Sequence, residues 1–182
     1  MFKKIELKDM TYCAMFAALI GVLGYVVIPL PFSPVTVTGQ SLAVMLAGLV
    51  LGPVQAAVSV LVFILLGIAG IPVFSGGRAG IGVLFGHSGG YIAGFLVGVV
   101  VISLLARQSR NIWRLGAAAA LGGMLVVYLL GVPWMAYITG RNVQEAIAAG
   151  ALPFIPGDIF KVFVAALLAK KINFHFRSRS FQ

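Results

Sequence analysis

No charged side chain occurs between Asp9 and Arg78, so residues 10 to 77 form one uninterrupted uncharged run. A water-facing surface cannot be built from such a stretch. Two further uncharged runs cover residues 79 to 106 and 115 to 140. A bilayer-spanning helix needs roughly 20 mostly apolar residues, so the first run suits three spans with tight connections and the others suit one each. The C-terminal apolar stretch adds a sixth. Composition points the same way: 61% of the 182 residues are hydrophobic and 9% are charged, against about 25% charged in soluble domains. The expected architecture is an all-α integral membrane protein with one transmembrane domain over residues 1–182.

Proline and glycine set the expected boundaries, because proline removes a donor and clashes with the preceding turn. The spans are placed at 10–28, 37–51, 54–68, 89–106, 115–132 and 153–171. Pro29-Leu30-Pro31-Phe32-Ser33-Pro34 reads as an extended connection. Val35-Thr36-Val37-Thr38-Gly39-Gln40 alternates branched and polar residues and suits a cavity wall. Residues 73 to 88 form a glycine-rich link. Lys3, Lys4 and Lys8 before the first apolar run resemble a signal peptide, but the run is long and has no clear small-residue cleavage site, so a retained first span is expected.

The formal charge of +9 would suggest nucleic acid in a soluble protein. Here the basic residues sit where spans end, so membrane lipid and orientation explain them and no nucleic-acid partner is expected. With six spans both termini share a side, which holds ten Lys and Arg, at 3, 4, 8, 107, 110, 114, 170, 171, 177 and 179. The other side holds three: Arg78, Arg141 and Lys161. The imbalance places both termini in the cytoplasm and opens a polar cluster outward.

Asp158 and Lys161 stand one helical turn apart inside an apolar span, on one face. A charge at the bilayer centre costs at least ~2.5 kcal/mol, so each needs a partner or a cavity. Pro156-Gly157 resembles a helix start, where the dipole favours Asp158. Two readings follow: a structural ion pair with a cap, or an acceptor and donor presented to a polar solute. Arg78, after Gly76-Gly77, either snorkels to headgroups or meets an anion. Trp134, Tyr137 and Tyr91 suit an interfacial belt or the wall of an apolar pocket. Glycines at 82, 86, 90, 94 and 98 suit close helix packing. Ala14, Ala17, Ala18 and Gly21 make a second small-residue stripe, for internal packing or for docking another membrane protein. The tail from Asn173 to Arg179 mixes aromatic and basic residues and suits headgroups.

No second His or Cys stands at metal-ligand spacing from His87, so no zinc site is expected. No G-x-x-x-x-G-K-[ST] loop is present, so the chain is not expected to hydrolyse ATP by that route. Cys13 is alone and reads as packing. The chain is expected not to be an enzyme and to need no cofactor. The rival classes are an uptake subunit for a different vitamin, a membrane enzyme using His87 and Asp158, and a passive channel. A channel needs polar residues across the whole membrane, and they fall only on the outer half.

The stretches Pro34-Val35-Thr36-Val37-Thr38-Gly39-Gln40, Gly70-Ile71-Pro72-Val73-Phe74-Ser75-Gly76-Gly77, Gly86-His87-Ser88-Gly89-Gly90-Tyr91 and Pro156-Gly157-Asp158-Ile159-Phe160-Lys161 resemble the BioY family. Four such stretches in this order, on a chain of this length, make the resemblance specific. It implies the substrate-binding S subunit of an energy-coupling-factor (ECF) biotin transporter, in the cytoplasmic membrane of a prokaryote. The implied function is high-affinity capture of biotin from outside, with the loop after the first helix closing over it. The implied partners are a transmembrane coupling protein (the T component) and two cytoplasmic ATPases. Carried onto this chain, the ligand-binding positions are Asp158, Lys161, Arg78, Gly77, Tyr91 and Gln40, with Trp134 and Tyr137 as apolar wall. The coupling protein would meet Ala14, Ala17, Ala18 and Gly21. Family members often have proline where His87 stands, and some carry arginine after the tyrosine, where this chain has Ile92.

Overall fold

The computed structural model describes residues 7–31, 33–107 and 109–178, with side chains as far as residue 173. Lys3, Lys4 and Arg179 lie outside the described residues, as do the side chains of the 174–178 tail and Phe32 of the proline-rich connection. Helix α1, Leu7–Leu23, stops five residues before the expected end at Ile28. The β-branched run Val26-Val27-Ile28 before Pro29 disfavours helix and favours extended chain. Val27–Ile28 accordingly forms strand β1, antiparallel to β2, Val37–Thr38. Helix α2, Gln40–Val50, therefore starts after the hairpin and not at residue 37.

Pro53 occupies the first turn of α3, Pro53–Ile68, where its missing N–H is harmless. The glycine-rich link holds a 3₁₀ turn, Ser75–Gly77, and the single-turn helix α4, Gly82–Phe85. Helix α5, Gly89–Ala106, follows. Helix α6, Ile112–Ala120, runs through a π-helical segment, Leu121–Val126, into α7, Val127–Thr139, one continuous rod from Ile112 to Thr139. The end expected at Val132 is wrong. Pro133 sits inside α7, as proline does in membrane helices whose neighbours satisfy the freed backbone. A short helix α8, Val143–Gly150, capped by Asn142, was not expected from the sequence. It meets α9, Ile155–Ser178, at a bend of 50°.

Two described helices, Gly89–Ala106 and Ile112–Thr139, are long and apolar enough to cross a membrane, and the bent α8–α9 pair makes a third. α2 and α3 are shorter apolar helices. The bundle is centred on α5, which packs on α2, α3, α6 and α7, while α2 also meets α1 and α9. Glycine makes this centre possible. A Cβ on Gly94 would lie 2.9 Å from Val127 Cα, one on Gly48 would lie 2.7 Å from Ile102 Cβ, and Gly98 stands directly against the Gly122 carbonyl. The four-residue glycine spacing is thus a packing device at 90, 94 and 98, whereas Gly82 faces open space. Short α2 ends inside the bundle, and side chains satisfy carbonyls there: Asn173 Nδ2 donates to Leu49 O at 3.3 Å and Ser103 Oγ donates to Leu51 O at 2.6 Å.

Gly98→Val should destabilise the bundle by about 1–3 kcal/mol, since the neighbour it meets is backbone and cannot turn aside. Gly116→Ala, where a Cβ meets nothing within 4 Å, should leave the thermal midpoint in detergent unchanged or raised.

Candidate functional site

Where α2, α5, α7 and α9 diverge, the two loops above them enclose an open cavity of about 650 Å³, mouth included. Its wall is mostly apolar, from Ile92, Phe95, Val127 and Phe154, with charge at a few points.

One charged group is the Asp158–Lys161 pair in the opening turns of α9. Lys161 Nζ lies 2.9 Å from Asp158 Oδ1 and donates to Ser41 Oγ at 2.9 Å, while Ser41 Oγ in turn approaches Asp158 Oδ1 at 3.4 Å. The Tyr128 hydroxyl donates to Asp158 Oδ2. Asp158 is only 5% exposed. Donors from α2, α7 and α9 therefore surround the carboxylate, as a buried charge requires.

The second is Arg78, carried by the turn that Gly76 and Gly77 close with φ values of 70° and 75°. Its Nε donates to Ser75 O at 3.0 Å and its Nη2 to Ser88 Oγ at 3.1 Å, with His87 Nε2 3.5 Å from Nη1. Burial, and then the Arg78 charge, hold the His87 pKa below its ordinary value, so His87 is neutral at pH 7 and accepts from the guanidinium. The loops are fastened to each other: Thr36 and Ser75 share a hydroxyl hydrogen bond of 2.7 Å, Gln40 Nε2 donates to Val73 O at 3.0 Å, and Gly76 N donates to Gly24 O at 2.9 Å.

Of the residues expected at a site, Asp158, Lys161, Arg78, Tyr91 and Gln40 all line this one cavity. Tyr91 offers its ring, because its hydroxyl donates to Gly150 O at 2.8 Å and ties α5 to the end of α8. Gly77 shapes the turn and does not line the wall. Trp134 stands apart from the cavity wall: its Nε1 donates to Gly86 O at 2.9 Å and its side chain covers Gly89 and Gly90. Tyr137 does too, being 82% exposed on the outside of α7, as the interfacial-belt reading has it. The stripe on α1 also divides. Ala17 is buried and Gly21 packs on Val73, whereas Ala14 and Ala18 face outward. Ser41 and Tyr128 were missed. Ser41 follows Gln40 in a polar run that already suggested a wall, but Tyr128 stands in an apolar helix whose register the sequence does not show.

Comparison with known proteins identifies the family and the fold. The BioY family profile matches residues 1–178. A probable biotin transporter BioY of Bacillus subtilis is 42% identical over 172 residues, covering 93% of this chain and 92% of its own. The biotin transporter BioY of Rhizobium etli is 38% identical over 174 residues, with 91% and 92% covered. A crystal structure of the S-component for biotin from an ECF-type ABC transporter is similar with a TM-score of 0.87 and 29% identity, covering 94% of each chain. The bundle is an S-component fold, and the chain belongs to the BioY family.

Proposed function

We propose that this chain captures biotin in the cavity between its loops and α9, as the substrate-specific subunit of an ATP-driven ECF uptake system. The observation that carries the reading is the placement of the Asp158–Lys161 pair and Arg78 on one largely apolar wall. Biotin has a matching division. Its ureido group carries two N–H donors and a carbonyl acceptor, its ring and chain are apolar, and its far end is a carboxylate.

Asp158 takes a ureido N–H, and Lys161 Nζ donates to the ureido oxygen. Ile92, Phe95, Val127 and Phe154 cover the ring and chain. Arg78, already held by Ser75 and Ser88, has guanidinium donors left for the carboxylate. An analogue without the ureido group leaves buried polar atoms unpaired, and this gives selectivity.

The six apolar helical stretches are read as six spans in the cytoplasmic membrane, with both termini inside. The excess of Lys and Arg on one side supports that orientation. The hairpin and the 73–88 link then close over biotin from outside, and release inward follows when a coupling protein and two ATPases reorient the subunit. Energy comes from those partners, and this chain acts as a binding subunit. Ala14 and Ala18, small, outward-facing and four residues apart on α1, allow a partner helix to approach closely.

Two outcomes test the allocation. In the purified subunit Arg78→Ala should weaken biotin by about 10- to 100-fold, the range for a hydrogen bond to a charged group, and abolish the preference for biotin over its carboxamide. Lys161→Ala should weaken both ligands and keep that preference; the reverse pattern in a calorimetric titration assigns the carboxylate to Lys161. Separately, Ala14→Leu with Ala18→Leu should prevent co-purification with the coupling protein while leaving biotin affinity within about twofold, as expected for a surface outside the pocket.

A further inference from the structure

Tyr128 is the one group on Asp158 that neither composition nor motif marks, and its position depends on an irregularity. The π-helical segment Leu121–Val126 adds a residue to the turn and so shifts the register of everything after it by about 100° relative to an α-helix. Beyond it Val127 and Tyr128 line the cavity, with Gly123 at its floor. The segment fits because Gly122 lies against Gly98 and Ile102, and a Cβ on Gly123 would lie 2.6 Å from Met45 Cγ.

The chemistry of the cluster follows from what Tyr128 adds. Asp158 Oδ1 receives Lys161 and Ser41, and Oδ2 receives Tyr128. The formal charges of Asp158 and Lys161 sum to zero, and neutral hydroxyls damp what negative potential remains. We propose that Tyr128 is a specificity-determining residue that makes this end of the cavity select a neutral cyclic urea over its cationic guanidine counterpart.

A urea offers N–H groups to the remaining Asp158 lone pairs and an oxygen to Lys161. A guanidinium has only donors, so one of them must face the Lys161 ammonium. Without the Tyr128 hydroxyl, Oδ2 is uncovered and the site becomes more negative. A cation is then opposed less.

The inference rests on the reading that Asp158 and Lys161 hold the ureido group. Its test is titration of the purified subunit with biotin and with 2-iminobiotin, whose guanidine is protonated at pH 7. The parent should prefer biotin, and its affinity for iminobiotin should rise with pH as the guanidine loses its proton. Tyr128→Phe should strengthen iminobiotin relative to biotin, so that the ratio of the two affinities falls. Ser41→Ala, which removes the other hydroxyl, should move the ratio in the same direction. Equal weakening of both ligands by Tyr128→Phe would mean that Tyr128 only packs, and an unchanged ratio in both variants overturns the proposal. A parent that binds neither ligand overturns the biotin reading itself, which keeps the two failures distinct.

Discussion

A carboxylate inside an apolar bundle is stable only if donors are brought to it, and here they come from three helices. Lys161 on α9, Ser41 on α2 and Tyr128 on α7 converge on Asp158, which is almost fully buried. Removing one partner from a buried ion pair typically costs about 3–5 kcal/mol, so the network fixes how α2 and α7 stand against the start of α9. The same groups face the cavity. On the proposed reading, what satisfies the charge in the fold is also what the ligand meets.

The remaining walls are held differently. α5 meets α7 and the π segment through glycines, where backbones come close enough for dispersion to replace the hydrophobic effect, which is weak between helices in lipid. That side of the cavity is rigid. Among the described residues the loop side is held by hydrogen bonds, which include a Thr36–Ser75 hydroxyl pair, the Tyr25 hydroxyl on Pro72 O, a Gln40 amide on Val73 and a backbone bond from Gly76 to Gly24. Loops tied by hydrogen bonds open at lower free energy than a packed core.

Much of this was legible from residue chemistry. Charge cost in an apolar span singled out Asp158 and Lys161, and a glycine pair singled out Arg78; all three line the cavity. Helix boundaries followed proline and β-branching only where tertiary packing agreed, so α1 ended early and α7 continued through Pro133. Trp134 and Tyr137 were grouped by type, but on α7 one turns onto the glycines of α5 and the other away from the bundle. On α1 the small residues form one arc, and the edge of the bundle runs through it between Ala17 and Ala18. Tyr128 could not be read at all, because its direction is set by the π segment, and that is fixed by contacts with Gly98, Ile102 and Met45 across the bundle.

The carbonyls near the end of α2 have a mechanical meaning. A helix of 11 residues covers only about 16 Å at 1.5 Å per residue, about half the hydrocarbon thickness. It can end inside the bundle because Asn173 and Ser103 supply the donors that water would supply elsewhere. α2 is thus a post held at its foot by α9 and α5 and at its head by Gln40 on Val73 and Ser41 on Lys161 and Asp158. Because β2 ends at Thr38, two residues before that head, the hairpin and the charged cluster are joined through Gln40 and Ser41.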